Sequence, residues 1–154
     1  MKITVILNGI PRTREVTGET TLLDFVRACG CPSVKRGCDT SNCGLCTLWV
    51  EGAPVLSCSY PAVRADGRQV TTLEGVREEA EAFGRCMAGQ GAEQCGYCSP
   101  GFIMAVLAMA RELTDPTEEE IARYLSGNLC RCTGYVSQMR AIRAWLKERG
   151  GERA

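Results

Sequence analysis

The run from Arg36 to Cys58, RGCDTSNCGLCTLWVEGAPVLSC, decides how this chain is read. Its cysteines, Cys38, Cys43, Cys46 and Cys58, are spaced C-x4-C-x2-C-x11-C. Three thiolates from one contiguous loop and a fourth from a later strand can wrap a flat core of two irons and two sulfides. Gly37 and Gly44 fit such a loop, because a chain folded tightly around sulfide needs residues that tolerate positive φ and let N–H groups approach sulfur. A zinc site is the alternative; it usually draws on C-x2-C pairs and fits the four-residue gap less well. Behind the loop, Cys46–Val50 and Pro54–Cys58 flank Glu51-Gly52 and predict a hairpin.

Upstream of the loop, Lys2–Leu7 alternates apolar and polar residues, Asn8-Gly9 offers a tight turn, and Arg12–Val16 can return antiparallel. Thr20 or Thr21 can cap a short helix through Leu22, Leu23, Val26 and Arg27, and Gln69–Leu73 reads as a last strand. Strands with one helix across them predict an α+β unit. Beyond residue 75 the period becomes helical over Val76–Met87, Ser99–Leu113, Thr117–Leu125 and Val136–Arg149, with apolar residues three and four apart. Thr117 and Glu120 form a capping box, and Ser126-Gly127 is a stop. Four such helices predict a small bundle. The polar stretch at Glu74 and Gly75 divides the chain into residues 1–75 and 76–154.

Composition narrows the chemistry. The 154 residues contain eleven cysteines and no histidine, which removes His-based triads, His-dependent metal hydrolases and Rieske clusters. Eleven is odd, the start MKITVILNG lacks the apolar core of an export signal, and 45% apolar residues can form a core unaided, so thiolate metal chemistry explains the cysteines better than disulfides. Eighteen basic residues balance eighteen acidic ones without a basic run, against nucleic-acid binding. Fifteen of the basic residues are Arg, which suits fixed ion pairs and interfaces. The longest apolar run, Phe102–Ala110, is far short of the roughly 20 residues of a membrane span.

A second group follows: Cys95 and Cys98 in QCGYCSPG, then Cys130 and Cys132 in GNLCRCTGY, spaced C-x2-C-x31-C-x-C. Spacing alone suits zinc and a two-iron cluster equally; a thioredoxin-like pair at Cys95 and Cys98 would need a βαβ context that the helical text does not offer. Cys29, Cys31 and Cys86 are left over and read as buried or half-buried thiols. Gly89-Gln90-Gly91 follows no strand and lacks the third glycine of a dinucleotide fingerprint. Trp49 and Trp145 read as core or interface residues, while Arg36 and Arg131, next to ligand candidates, could tune a centre or dock a partner.

The motifs GCDTSNCGLC with Cys58, QCGYCSPGF and SGNLCRCTGY, in that order, closely resemble the small iron-sulfur subunit of the molybdenum hydroxylases, the xanthine dehydrogenase and carbon monoxide dehydrogenase family. The resemblance covers nearly the whole chain. It implies a β-grasp, ferredoxin-like domain holding one 2Fe-2S cluster on Cys38, Cys43, Cys46 and Cys58. A four-helix bundle would hold a second on Cys95, Cys98, Cys130 and Cys132. It further implies that Gln94 and Cys132 face the molybdopterin-type molybdenum cofactor of a large partner subunit, with FAD on a medium one, in a cytoplasmic hetero-oligomer. Electrons would pass from molybdenum to FAD, and no chemistry would occur on this chain alone. The implied substrate is a purine or other N-heterocycle; a cytochrome-linked aldehyde or heterocycle oxidoreductase and a zinc-stabilised binding module are the alternatives. Leu45 and Ser99 stand where the family commonly has Ala and Thr, and the His-Pro segment frequent upstream of the bundle is missing.

Overall fold

The computed structural model describes residues 1–151. Strands β1 (Lys2–Leu7) and β2 (Ile10–Glu15) form the predicted hairpin, and Ile10 pairs with Leu7 directly after the turn. Asn8 and Gly9 both take positive φ there, as do Glu51 and Gly52 between β3 (Thr47–Val50) and β4 (Ala53–Leu56). Two consecutive positive-φ residues give the turn whose twist matches paired strands. Glu51 adopts it without the help of an Asn side chain; its carboxylate accepts from the Gln69 N–H at 2.6 Å. With β5 (Gln69–Thr71) the sheet order is β2-β1-β5-β3-β4, β1 and β5 being parallel and the other pairs antiparallel.

Helix α1 (Leu22–Ala28) is capped by Thr21, whose hydroxyl accepts from the Asp24 N–H. Its Leu22, Leu23, Phe25 and Val26 are buried against Ile3, Val5, Leu7, Leu48, Val50 and Val70 of the sheet. The outer strand β2 buries no side chain and carries Pro11, Arg12 and Arg14, features that blunt an open sheet edge.

Four further helices follow, α2 (Arg77–Gly89), α3 (Ser99–Glu112), α4 (Glu118–Tyr124) and α5 (Val136–Gly151). The capping box of Thr117 and Glu120 opens α4. Helix α2 packs on α3 and α5, and α4 on α5. Helix α3 also lies across β3 and β4, so it has apolar neighbours on every side. That explains why Phe102–Ala110 is buried without interruption rather than along one stripe.

Strand β3 joins the two halves. Its alternation sends Leu48 and Val50 into the core under α1, and Trp49 into the helical core with Phe83, Phe102, Ile142 and Trp145. Trp49 Nε1 donates to the Met104 carbonyl at 3.1 Å, and the Arg111 guanidinium covers its ring at 4.1 Å. The stretch at Glu74 and Gly75 is also tied down: Glu74 accepts from the Ser33 N–H and hydroxyl and from Thr72, and a Cβ on Gly75 would strike Asn8.

Candidate metal centres

The first cysteine group lies on the loop entering β3 and on the short turn after β4. Cys43 and Cys46 are buried; Cys38 and Cys58 are half-buried. Strand β4 stops at Leu56, short of the expected Cys58, because the chain turns there and brings Cys58 back to Cys46. The buried Ser57 hydroxyl donates to the Cys46 carbonyl at 2.7 Å. Ser41 and Gly44 take positive φ, curling the loop inward. Gly37 does not; a Cβ there would lie 2.5 Å from Leu45 Cδ2 and 3.3 Å from Cys43 Sγ, so the Leu45 side chain would have to move.

The thiols come in pairs, Cys38 with Cys43 and Cys46 with Cys58. The Asn42 amide, then the Cys43 thiol and the amides of Cys43 and Thr40, hold the Cys38 thiol down at about 6. Burial pushes Cys46 up to about 11, while the Cys58 amide pulls the other way. Amides aimed at sulfur favour thiolate and burial opposes it; a bound cation would supply the counter-charge and deprotonate such thiols outright.

The second group pairs in the same manner. Cys98 caps α3 and meets Cys130, and Cys95 Sγ lies 3.6 Å from Cys132 Sγ. Gly96 and Gly134 take positive φ beside them. Burial, then the neighbouring Cys130 thiol, pushes Cys98 up to about 12. Burial also raises Cys130, but the Thr133 hydroxyl, 3.2 Å from its sulfur, and the amides of Thr133 and Cys132 more than offset it. Cys132 is raised by its contact with Cys95. Unlike the first group, Cys95 and Cys132 are exposed, and Tyr97, Leu129, Tyr135 and Val136 stand exposed around them. Gln94, next to Cys95, is exposed as well.

The loops bearing the two groups touch. The Leu129 N–H, adjacent to Cys130, donates to the Cys43 carbonyl at 2.9 Å. Asn128 Nδ2 reaches the carbonyls of Gly44 and Gly101 at 3.3 and 3.4 Å, and Tyr97 Oη donates to the Arg36 carbonyl at 3.0 Å. A Cβ on Gly101 would sit 2.5 Å from the Gly44 carbonyl oxygen, so the first turn of α3 rests on the first loop. Sequence reasoning missed Gly101 and Asn128; their only trace is their place inside the cysteine motifs, SPGF and SGNLC. The arrangement fits two diiron cores better than two zinc ions. A diiron core takes two thiolates on each iron, whereas structural zinc draws four donors to one point. Among the described residues no group of three or more Cys, Asp or Glu side chains is placed to hold a single ion. Cys29 and Cys86 are half-buried and Cys31 buried, each with its thiol pushed up by burial, and none joins either group.

These features define a protein with paired thiols on two touching loops, and the comparisons give the class of centre such a protein carries. Residues 5–73 match the family described as "2Fe-2S iron-sulfur cluster binding domain", and residues 72–143 the family "[2Fe-2S] binding domain". The chain is 44% identical to the nicotinate dehydrogenase small FeS subunit of Eubacterium barkeri, over 92% of this chain and 94% of that one. It is 43% identical to the xanthine dehydrogenase iron-sulfur-binding subunit of Escherichia coli O157:H7, over 84% of each. A chain of quinoline 2-oxidoreductase from Pseudomonas putida 86 superposes with a TM-score of 0.89 at 34% identity, covering 99% of this chain and 96% of its own. The protein belongs to the small 2Fe-2S subunits of the molybdenum hydroxylase family.

Proposed function

We propose that this chain relays electrons between a molybdenum centre and FAD held on partner subunits of a hetero-oligomeric hydroxylase. Cys38, Cys43, Cys46 and Cys58 hold one 2Fe-2S cluster; Cys95, Cys98, Cys130 and Cys132 hold the other. Each cluster, when bound, accepts and returns one electron. The chain itself supplies spacing, burial and hydrogen bonds. The Leu129 N–H to Cys43 carbonyl bond is among those that link the two sites, and amides directed at sulfur favour the charged state of each site. The observation that carries the reading is the arrangement of eight thiols as four close pairs, two at each of two touching loops.

The exposed second site, rimmed by Tyr97, Leu129, Tyr135 and Val136, suits docking on the large molybdenum subunit, with Gln94 and Cys132 on the pterin side. The first site then faces the FAD-binding medium subunit. In this reading residues 1–75 are a β-grasp domain and residues 76–154, the last three of which lie outside the described residues, carry a four-helix bundle; the setting is the cytoplasm and the substrate is a purine or other N-heterocycle. No described helix is long and apolar enough to cross a membrane. Metal and sulfide analysis of the purified complex tests the core of it. About four irons and four sulfides per small chain are expected, together with larger chains carrying molybdenum and FAD. A colourless zinc protein would end the reading. Oxidation assays with a panel of heterocycles and aldehydes then settle the substrate.

A further inference from the structure

Gln138, in the first turn of α5, is 2% exposed, and its Oε1 has no hydrogen-bond partner. A buried acceptor left unpaired is costly and calls for an explanation. The side chain borders two spaces. One is the narrow cleft between the two cysteine loops, shared with Cys43, Cys98, Leu129 and Cys130. The other is a cavity of about 330 Å³ with Leu125, Met139 and Ile142 on its apolar walls and Asn128 and Tyr135 at its polar end.

The chemistry of the two spaces orients the carboxamide. Metal-bound thiolates accept hydrogen bonds, so an amide oxygen is repelled from their cleft and only the NH2 end suits it. The oxygen must find its donor on the cavity side. There the Asn128 amide is engaged with the Gly44 and Gly101 carbonyls, and the Ser126 hydroxyl donates to the Arg123 carbonyl. Tyr135 Oη instead accepts from the Cys130 N–H at 2.9 Å and keeps its own proton to give.

We propose that Gln138 sets the reduction potential of the second site: Tyr135 holds its Oε1 through one water, so that its NH2 is turned toward the Cys98 and Cys130 thiolates. Positive hydrogens beside a centre that gains negative charge favour the reduced state, so the amide raises the potential above that of an apolar residue. The inference rests on the two-cluster reading and assigns a role to a residue outside all three cysteine motifs.

Redox titration of the intact complex, followed by EPR, tests it. Gln138→Leu is expected to leave about tenfold less of the second-site signal reduced relative to oxidised at a fixed poise, a shift of about 59 mV to the negative for one electron. The first-site signal should move less, since Cys43 is the one cysteine of that site bordering the same cleft. Gln138→Glu, which keeps the shape but replaces the donor, should shift the same signal in the same direction. Two intact signals with unmoved potentials in both variants would overturn the proposal. Should neither variant assemble, wild-type complex labelled with 15N-glutamine decides by electron-nuclear double resonance. An exchangeable side-chain N–H coupling at the second site supports the proposal, and its absence rejects it. Wild-type complex lacking two signals would instead sink the two-cluster reading and this inference with it.

Discussion

At the first cysteine site Cys43 and Cys46 are buried and the loop's own amides close over the sulfurs. At the second, Cys95 and Cys132 lie open at the surface among exposed aromatic and aliphatic side chains. Both present paired thiols, so the difference lies in what completes the enclosure. The first is closed by its own loop together with the second loop and the first turn of α3, and the second leaves one side for another surface to cover.

The largest test of that comparison removes one ligand from each site. Cys43→Ser is expected to erase one of two EPR signals on reduction and halve the iron content, from about four to about two per chain, while sparing the other signal. Cys130→Ser should do the reverse. Loss of both signals from either change would show that the touching loops cannot be occupied independently. A smaller effect is expected where they meet. Gly101→Ala drives a methyl into the Gly44 carbonyl, and overpacking of this kind costs about 1–3 kcal/mol. Thermal unfolding should register the loss, and an unchanged midpoint would mean that the first turn of α3 can lift off the loop without penalty.

The smallest effect concerns Glu74, between the sheet and α2. Burial raises its pKa, but the Ser33 and Thr72 hydroxyls and the amides of Glu74 and Ser33 outweigh that and leave it below the 4.5 of a free glutamate. A depressed folded-state pKa contributes stability that is present above the unfolded value and lost as the pH falls through the folded one. Glu74→Gln should therefore cost on the order of 1 kcal/mol at neutral pH. Wild type and variant should converge in acid, below the pKa of the bound carboxylate. Parallel stability curves across that range would remove Glu74 from the joint.

Local chemistry made much of this legible beforehand. The Asn8-Gly9 and Glu51-Gly52 turns, a cap at one of Thr20 and Thr21, and the Thr117 capping box each depend on neighbours a few residues away, and each occurs where the sequence places it. What stayed hidden depends on distant partners. Gly37 and Gly44 read alike, yet a Cβ on Gly37 would press on the Leu45 side chain, whereas Gly44 combines positive φ with a Cβ position blocked by the Gly127 carbonyl and Asn128. Nothing in SPGF announces that Gly101 will meet the loop of the other site, nor in VSQMR that Gln138 will turn inward while Val136 stays exposed. Periodicity marks which helix face is apolar. It does not say what that face will touch.

Strand β3 constrains folding as well as shape. Because side chains alternate, slipping its pairing by one residue would drive Trp49 beneath α1 and strip the helical core of its indole, while Leu48 and Val50 changed sides with it. A mispaired sheet is therefore punished twice, once in each core, and the helices act as proofreaders of a register they do not belong to.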